Sequence, residues 1–189
     1  MKKVLVMGAN STLGKSIIKY IDKNKNKIIK LNRKQLNCLS SDFEYKLFKF
    51  LKNNEPNIII NCIGFFDLNN GDFNKLIKIN ILPSWILVKY FFLKKKSKVK
   101  IMLVGSNSYN KPRKNYILYV AAKSALNNIY LSCRELFMHT KIRFHIINPP
   151  AFKSKMRNKT FSLENSIKIN YKLKDVDKIS KKIIKELKI

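Results

Sequence analysis

The chain has 189 residues, of which 46% are hydrophobic, so it is long enough and apolar enough for one folded domain rather than a disordered chain. Lys and Arg total 40 against 11 Asp and Glu, a formal charge of +29 that points first to nucleic acid or an anionic surface. Lys, Ile and Asn, which share A/T-rich codons, supply 82 of the residues, and Lys outnumbers Arg 35 to 5, whereas base readout leans on the Arg fork. Compositional bias accounts for most of the charge, and no specific nucleic acid is expected as partner.

Val4 to Met7 is a short apolar run ending in Gly8, which predicts a buried strand. Leu13, Ile17, Ile18 and Ile21 follow at helical spacing. Lys27 to Leu31 reads as a second strand. Ser41-Asp-Phe-Glu44 has the form of a capping box, with a helix running on to about Asn53. Asn57 to Cys62 reads as a fully buried strand after Pro56. Asp72 to Leu93 is helical, with a kink expected at Pro83. Lys100 to Val104 is a strand, Asn115 to Met138 a long helix and Arg143 to Ile147 a further strand. Lys153 to Asn170 reads as polar and irregular, and Val176 to Leu187 as an amphipathic helix.

Strands alternating with helices imply an α/β fold, a doubly wound parallel sheet flanked by helices, as one domain over residues 1–189. Residues 151–175 are expected to form a short substrate-loop region within it. The apolar stretch Ile81 to Leu93 is interrupted by Pro83, Ser84 and Lys89, so no membrane span is expected. The apolar run after Met1 is too short for a signal peptide. Cys38, Cys62 and Cys133 are an odd number without metal-type spacing, which suggests a reducing, cytoplasmic setting and no metal site.

In such sheets ligands bind beyond the carboxyl ends of the strands. The first such loop is Gly8-Ala-Asn-Ser-Thr-Leu-Gly14-Lys15-Ser16. Its ending has the look of a P-loop, but five residues separate Gly8 from Gly14 where that motif has four. A dinucleotide cradle fits better, with backbone N–H groups facing a pyrophosphate at the start of the first helix. An ordinary strand-to-helix turn is the bland alternative. The second strand ends without the acid that selects a free ribose 2′-hydroxyl; Arg33 and Lys34 stand there instead, which favours NADP(H) over NAD(H).

Tyr119-Val-Ala-Ala-Lys123 is a Tyr-x-x-x-Lys pattern that puts both side chains on one helix face. In so Lys-rich a chain about 1.5 such matches arise by chance when matches are counted rather than judged by eye. Three occur: Tyr45/Lys49, Tyr90/Lys94 and Tyr119/Lys123. Only the third has a serine, Ser106, thirteen residues earlier, just past a late strand.

With these segments in this order, the sequence resembles the short-chain dehydrogenase/reductase family over nearly its whole length, which implies a single NAD(P)-binding Rossmann domain over residues 1–189. Gly8 to Gly14 resembles the family's cofactor loop, which assigns Asn10, Ser11, Thr12 and Leu13 to cofactor binding with the two glycines. Asn61-Cys-Ile-Gly64 resembles its Asn-Asn-Ala-Gly element, Asn80 its helix asparagine, and Val104-Gly-Ser106 its serine segment. Asn148-Pro149-Pro150 through Ser154 resembles the stretch flanking the nicotinamide, which assigns Pro149 and Ser154 there. The Gly-Ala-Asn-x-x-Leu-Gly wording also resembles sugar-nucleotide reductases of the dehydrorhamnose reductase type.

The resemblance implies an NADP(H)-dependent oxidoreductase that interconverts a carbonyl and an alcohol on a small molecule, such as a sugar nucleotide or other anionic metabolite. Tyr119 would be the general acid/base, Lys123 would lower its pKa and hold the nicotinamide ribose, and Ser106 would bond the substrate oxygen. Asn80 would support a proton route to Lys123. Arg33, Asn37, Asn61 and Gly64 complete the expected cofactor contacts. The family often dimerises through helices corresponding to Asp72–Leu93 and Asn115–Met138. Cys62 and Ile63 depart from the Asn-Ala pair, Pro150 replaces a glycine, and Asn37 stands where an acid meets adenine. The family continues past the final helix with another strand, so a minimal sheet edge and lid are expected here. A non-catalytic NAD(P)-binding sensor or partner subunit, and a nucleic-acid binder, are the alternatives. Phe65, Phe66, Tyr109, Phe152 and Met156 are candidate pocket residues or simple packing.

Overall fold

The computed structural model describes residues 1–68, 71–160 and 173–189. Five strands, β1 (Lys2–Met7), β2 (Asn26–Leu31), β3 (Ile58–Asn61), β4 (Val99–Val104) and β5 (Ile142–Ile147), form one sheet in the order β2-β1-β3-β4-β5. Every pairing is parallel, with Val4 opposite Ile28 and Ile58, and Ile101 opposite Phe144. The inner strands are apolar without alternation because both faces are covered. Leu5, Met7, Ile59, Ile101 and Leu103 face one helical layer, while Val4, Val6, Ile58, Ile60 and Met102 face the other.

The first layer comprises α2 (Phe43–Asn54), α4 (Leu82–Leu93) and α5 (Ile117–Leu136), which contribute Phe43, Leu47, Leu51, Leu87, Phe91, Leu126 and Cys133. The second comprises α1 (Thr12–Tyr20) and α7 (Val176–Leu187), which meet through Leu13, Ile17, Ile179 and Ile183. A polar clasp joins these two helices. Asp177 accepts from Ser16 at 2.6 Å, Tyr20 at 2.7 Å and Lys19 at 3.0 Å, and Ser180 donates to Ser16 at 2.7 Å.

Three local expectations are corrected. The capping box at Ser41 does not form; Asp42 is the N-cap of α2, its side chain makes no capping bond to a backbone N–H, and its carboxylate accepts from Ser40 and pairs with the Lys46 ammonium on α2 at 2.7 Å. Pro83 does more than kink one helix. α3 (Phe73–Asn80) ends and α4 begins across a 43° bend, with Pro83 in the first turn, where its missing N–H costs nothing. The stretch read as irregular contains a short helix, α6 (Lys155–Thr160), capped by Ser154 accepting from the Arg157 N–H at 3.1 Å. The remainder of that stretch, 161–170, lies outside the described residues, as does most of the 151–175 loop beyond α6. No single helix among the described residues is long and apolar enough to cross a membrane.

The strand order reverses about β1: β2 lies on one side and β3 on the other. Loops leaving the carboxyl ends of these two halves diverge, and the crevice between them is the fold's binding position.

Candidate active site

The loop after β1 turns sharply at Gly8, whose φ is +72°, a conformation side chains rarely adopt. A methyl group there would also lie 2.9 Å from the Cys62 carbonyl. Ser11 caps α1, accepting from the Gly14 N–H at 3.0 Å. A Cβ on Gly14 would sit 2.5 Å from the Gly8 carbonyl oxygen. The loop therefore folds back on itself at the start of α1. Asn10, Ser11, Thr12 and Leu13 line the cleft beside it, whereas Gly8 and Gly14 shape the turn from beneath.

Arg33 and Asn37 follow β2 and do not line that cleft. Arg33 is exposed, and Asn37 turns its carboxamide back to accept from the Leu39 N–H at 3.2 Å. The two loops are nonetheless neighbours, because the Ala9 N–H donates to the Leu31 carbonyl at 3.1 Å.

After β3, Asn61 points inward. Its amide donates to Ser84 at 2.9 Å and its oxygen accepts from the Ile63 N–H at 3.1 Å, so it holds the turn and does not reach the cleft. Asn80 is buried at the α3–α4 break. Its amide donates to the Phe65 carbonyl at 2.8 Å and the Leu76 carbonyl at 3.0 Å, and its oxygen accepts from the Phe65 N–H at 3.2 Å. Its side chain is thus committed to the backbone of the loop. A Cβ on Gly64 would lie 3.5 Å from Asn80 Oδ1 and 3.6 Å from Lys123 Nζ, so Gly64 is where these two side chains converge.

After β4, Ser106 is oriented from two directions. Its backbone N–H donates to Asn148 Oδ1 at 3.1 Å, and its Oγ accepts from the Ser108 N–H at 3.2 Å. The Ser106 hydroxyl lies close enough to the Tyr119 phenol to draw its titration downward. Tyr119 and Lys123 lie one turn apart on α5, with Nζ 5.7 Å from the phenol ring centroid. Lys123 is buried and donates to the Val104 carbonyl at 3.2 Å.

Electrostatics follow from burial. Burial pushes the Tyr119 phenol above its ordinary value, against a downward pull from the Ser106 hydroxyl. That pull was expected from Lys123; in the chain alone it comes from Ser106. Burial also depresses Lys123 to about 8, partly offset by Cys62 nearby. The Cys62 thiol is itself pushed up to about 12, so it stays protonated and is no nucleophile at neutral pH.

These groups open on one cleft of about 1060 Å³ that reaches from the first loop to Ser106, Tyr119 and Lys123 and on to Pro149, Pro150 and Ser154. Across it, Thr12 Oγ1 accepts from the Lys155 N–H at 3.3 Å. Of the candidate pocket residues, Phe66, Phe152 and Met156 line the cleft, while Phe65 and Tyr109 do not. Phe66 stands edge-on to Tyr119 at 4.8 Å and to Tyr116 at 5.1 Å. The sequence reading missed Tyr116, although it precedes Tyr119 by one helical turn's spacing. It also missed the cations Arg113, Lys114, Lys155 and Arg157 in the lining, and the carboxamide pair in which Asn148 donates to Asn127 at 3.1 Å. Lys-rich composition hid the cations; for the asparagines no local pattern existed to find.

A sequence-family profile described as short chain dehydrogenase matches residues 54–165, more than half of the chain. No curated protein matches the sequence. Among solved structures, 4-hydroxyisoleucine dehydrogenase complexed with NADH superposes with a TM-score of 0.82 at 23% identity, covering 97% of this chain and 89% of that one. A short chain dehydrogenase from Burkholderia cenocepacia in complex with NADP gives 0.81 at 13% identity, covering 100% and 86%. The 3-ketoacyl-(acyl-carrier-protein) reductase from Brucella melitensis with NADH gives 0.79 at 17%, covering 96% and 88%. At these identities the likeness is one of fold, and two different nicotinamide cofactors occur among the neighbours.

Proposed function

The chain belongs to the short chain dehydrogenase family, and from that premise we propose that it is an NADP(H)-dependent reductase of a small anionic carbonyl compound, with Tyr119 as general acid/base. The carrying observation is the convergence of Ser106, Tyr119 and Lys123 on the same cleft as the first loop. The cradle suits a dinucleotide: Gly8 and Gly14 have no room for a side chain, and the backbone at the start of α1 is left to face phosphates. The nicotinamide, when bound, supplies or accepts the hydride.

This chain's residues do the rest. A Tyr119 phenol held above its ordinary pKa keeps its proton at neutral pH and can donate it to the substrate oxygen. The phenolate left behind is stabilised by the Ser106 O–H and by the nearby Lys123 ammonium. Burial holds that ammonium near its titration point, so Lys123 can exchange a proton close to neutral pH. Asn80 acts by pinning the Phe65 backbone, which fixes the loop carrying Gly64 against Lys123.

For the cofactor, Arg33 and Lys34 at the end of β2, with no acid beside them, support a 2′-phosphate. For the substrate, the cationic lining supports an anion; a sugar nucleotide is one member of that class. Residues 1–189 act as one NAD(P)-binding unit in the cytoplasm, with residues 151–175 as its substrate loop. The outward face of α4 exposes Trp85 at 49% and Leu93 at 71%, with Lys89 as its single charge, which supports a homodimer through α4 and α5.

Fluorescence titration with NADPH and NADH, followed by a carbonyl screen with wild type and Tyr119→Phe, tests the reading. Tighter NADPH binding and turnover lost in Tyr119→Phe are expected. Cofactor binding without any Tyr119-dependent turnover favours the sensor instead, and binding of neither cofactor overturns both. Light scattering tests the dimer.

A further inference from the structure

The cations of the cleft fall into two groups. Lys155 stands at the first loop, joined to Thr12 through its backbone. Arg113, Lys114 and Arg157 form the other group, lining the cleft together with Tyr116. The Tyr116 N–H donates to the Arg113 carbonyl at 3.2 Å, which places Arg113 in the turn that leads into α5. Arg157 is half-buried and near enough to Tyr116 for the phenol to act on its charge. Tyr116 in turn lies 6.2 Å from Tyr119, ring to ring, with Phe66 edge-on to both. Both guanidinium-bearing residues therefore line the same cleft as the proposed proton donor and its aromatic neighbours. The described residues lining this cleft include no Asp or Glu.

We propose that the substrate carries an oxyanion, a carboxylate or a phosphate, within a few bonds of the reacting carbon, held by Arg157 and Arg113 on the Tyr116 side of the cleft. This rests on the reductase reading above. It narrows the substrate to a compact oxo or hydroxy acid whose carbon skeleton lies along Phe66 and Tyr116. The planar fork of Arg suits both oxyanions, and partial burial strengthens each bond. The ring wall supplies apolar contact with edge-on geometry and little conformational loss.

The test uses matched sets of short oxo acids, their methyl esters and phosphate-bearing oxo compounds, each reduced with NADPH. The charged members are expected to exceed the esters in kcat/KM by about ten- to a hundredfold, the worth of charge-assisted hydrogen bonds. Arg157→Gln is expected to collapse that ratio towards unity, mainly through KM, while NADPH affinity by fluorescence stays at the wild-type value. Arg113→Gln gives the same pattern more weakly and serves if Arg157→Gln does not fold. Preference for the carboxylate or the phosphate member tells which oxyanion is read. Esters turned over as well as acids would overturn the proposal, as would loss of NADPH affinity in Arg157→Gln, which assigns the cation to the cofactor. Where turnover is too slow to follow, calorimetry on the cofactor-loaded protein decides: no tighter binding of the charged members than of the esters overturns it. Failure of the reductase reading looks different, as turnover that survives Tyr119→Phe.

Discussion

The Asn148 side-chain oxygen accepts the Ser106 backbone N–H at 3.1 Å, and its amide donates to Asn127 on α5 at 3.1 Å. One carboxamide at the end of β5 thus ties the loop after β4 to the helix that carries Tyr119. The fit is close: a Cβ on Gly105 would lie 2.0 Å from Asn148 Oδ1. Asn148 acts through Ser106 and is a positioning residue.

Asn148→Ala is expected to lower kcat by about a hundredfold, the scale of a small misplacement at a reacting centre. NADPH affinity should hold. The pH profile distinguishes positioning from simple destabilisation. With Ser106 released, Tyr119 loses its downward pull, so the basic limb of the profile moves to higher pH. An unmoved profile with lower kcat argues against the role.

Gly14→Val is expected to abolish NADPH binding while leaving the far-ultraviolet circular dichroism of the fold. The added atoms meet the Gly8 carbonyl and the Ser11 hydroxyl, both confined to the first loop. Normal NADPH titration by this variant would show that the loop is misassigned.

Lys123 is pushed down to about 8, below the ordinary 10.5, because burial penalises its charge. Between these values the unfolded chain binds more protons than the folded one, so stability rises with pH across that window. In the cofactor-free protein, wild type should gain stability relative to Lys123→Met from about pH 8 upward, by urea denaturation at stepped pH. Parallel curves would contradict it.

Asp177 is held well below the usual carboxylate range by Ser16, Tyr20 and Lys19. A depressed carboxylate stabilises the fold above its unfolded pKa and loses that contribution as pH falls. Asp177→Asn should therefore have a lower melting midpoint than wild type at neutral pH. The gap should narrow below about pH 4, where the unfolded carboxyl takes up its proton. A gap that stays constant into acid would show that the α1–α7 clasp is steric rather than ionic.

The strands were legible because each is a short apolar run with a turn signal behind it, as in Ile58 to Asn61. Ser106, Tyr119 and Lys123 were legible only together, since the Tyr-x-x-x-Lys pattern occurs three times in this chain. Asn61 and Asn80 were found as positions, but sequence gives no direction for a side chain, and both turn to the protein interior. The bonds from Asn148 to Ser106 and Asn127 bridge 42 and 21 residues, distances over which no local pattern operates. The break at Asn80 was blurred because Pro is tolerated in a first helical turn as readily as it kinks an interior one.

The short helix α6 joins two functions mechanically. Lys155 at its start is bonded to Thr12 of the first loop, and Arg157, two positions later, lines the cleft with Tyr116. Less than one helical turn therefore spans the distance from the cradle of the first loop to the cationic lining of the cleft, so both are held by one rigid element.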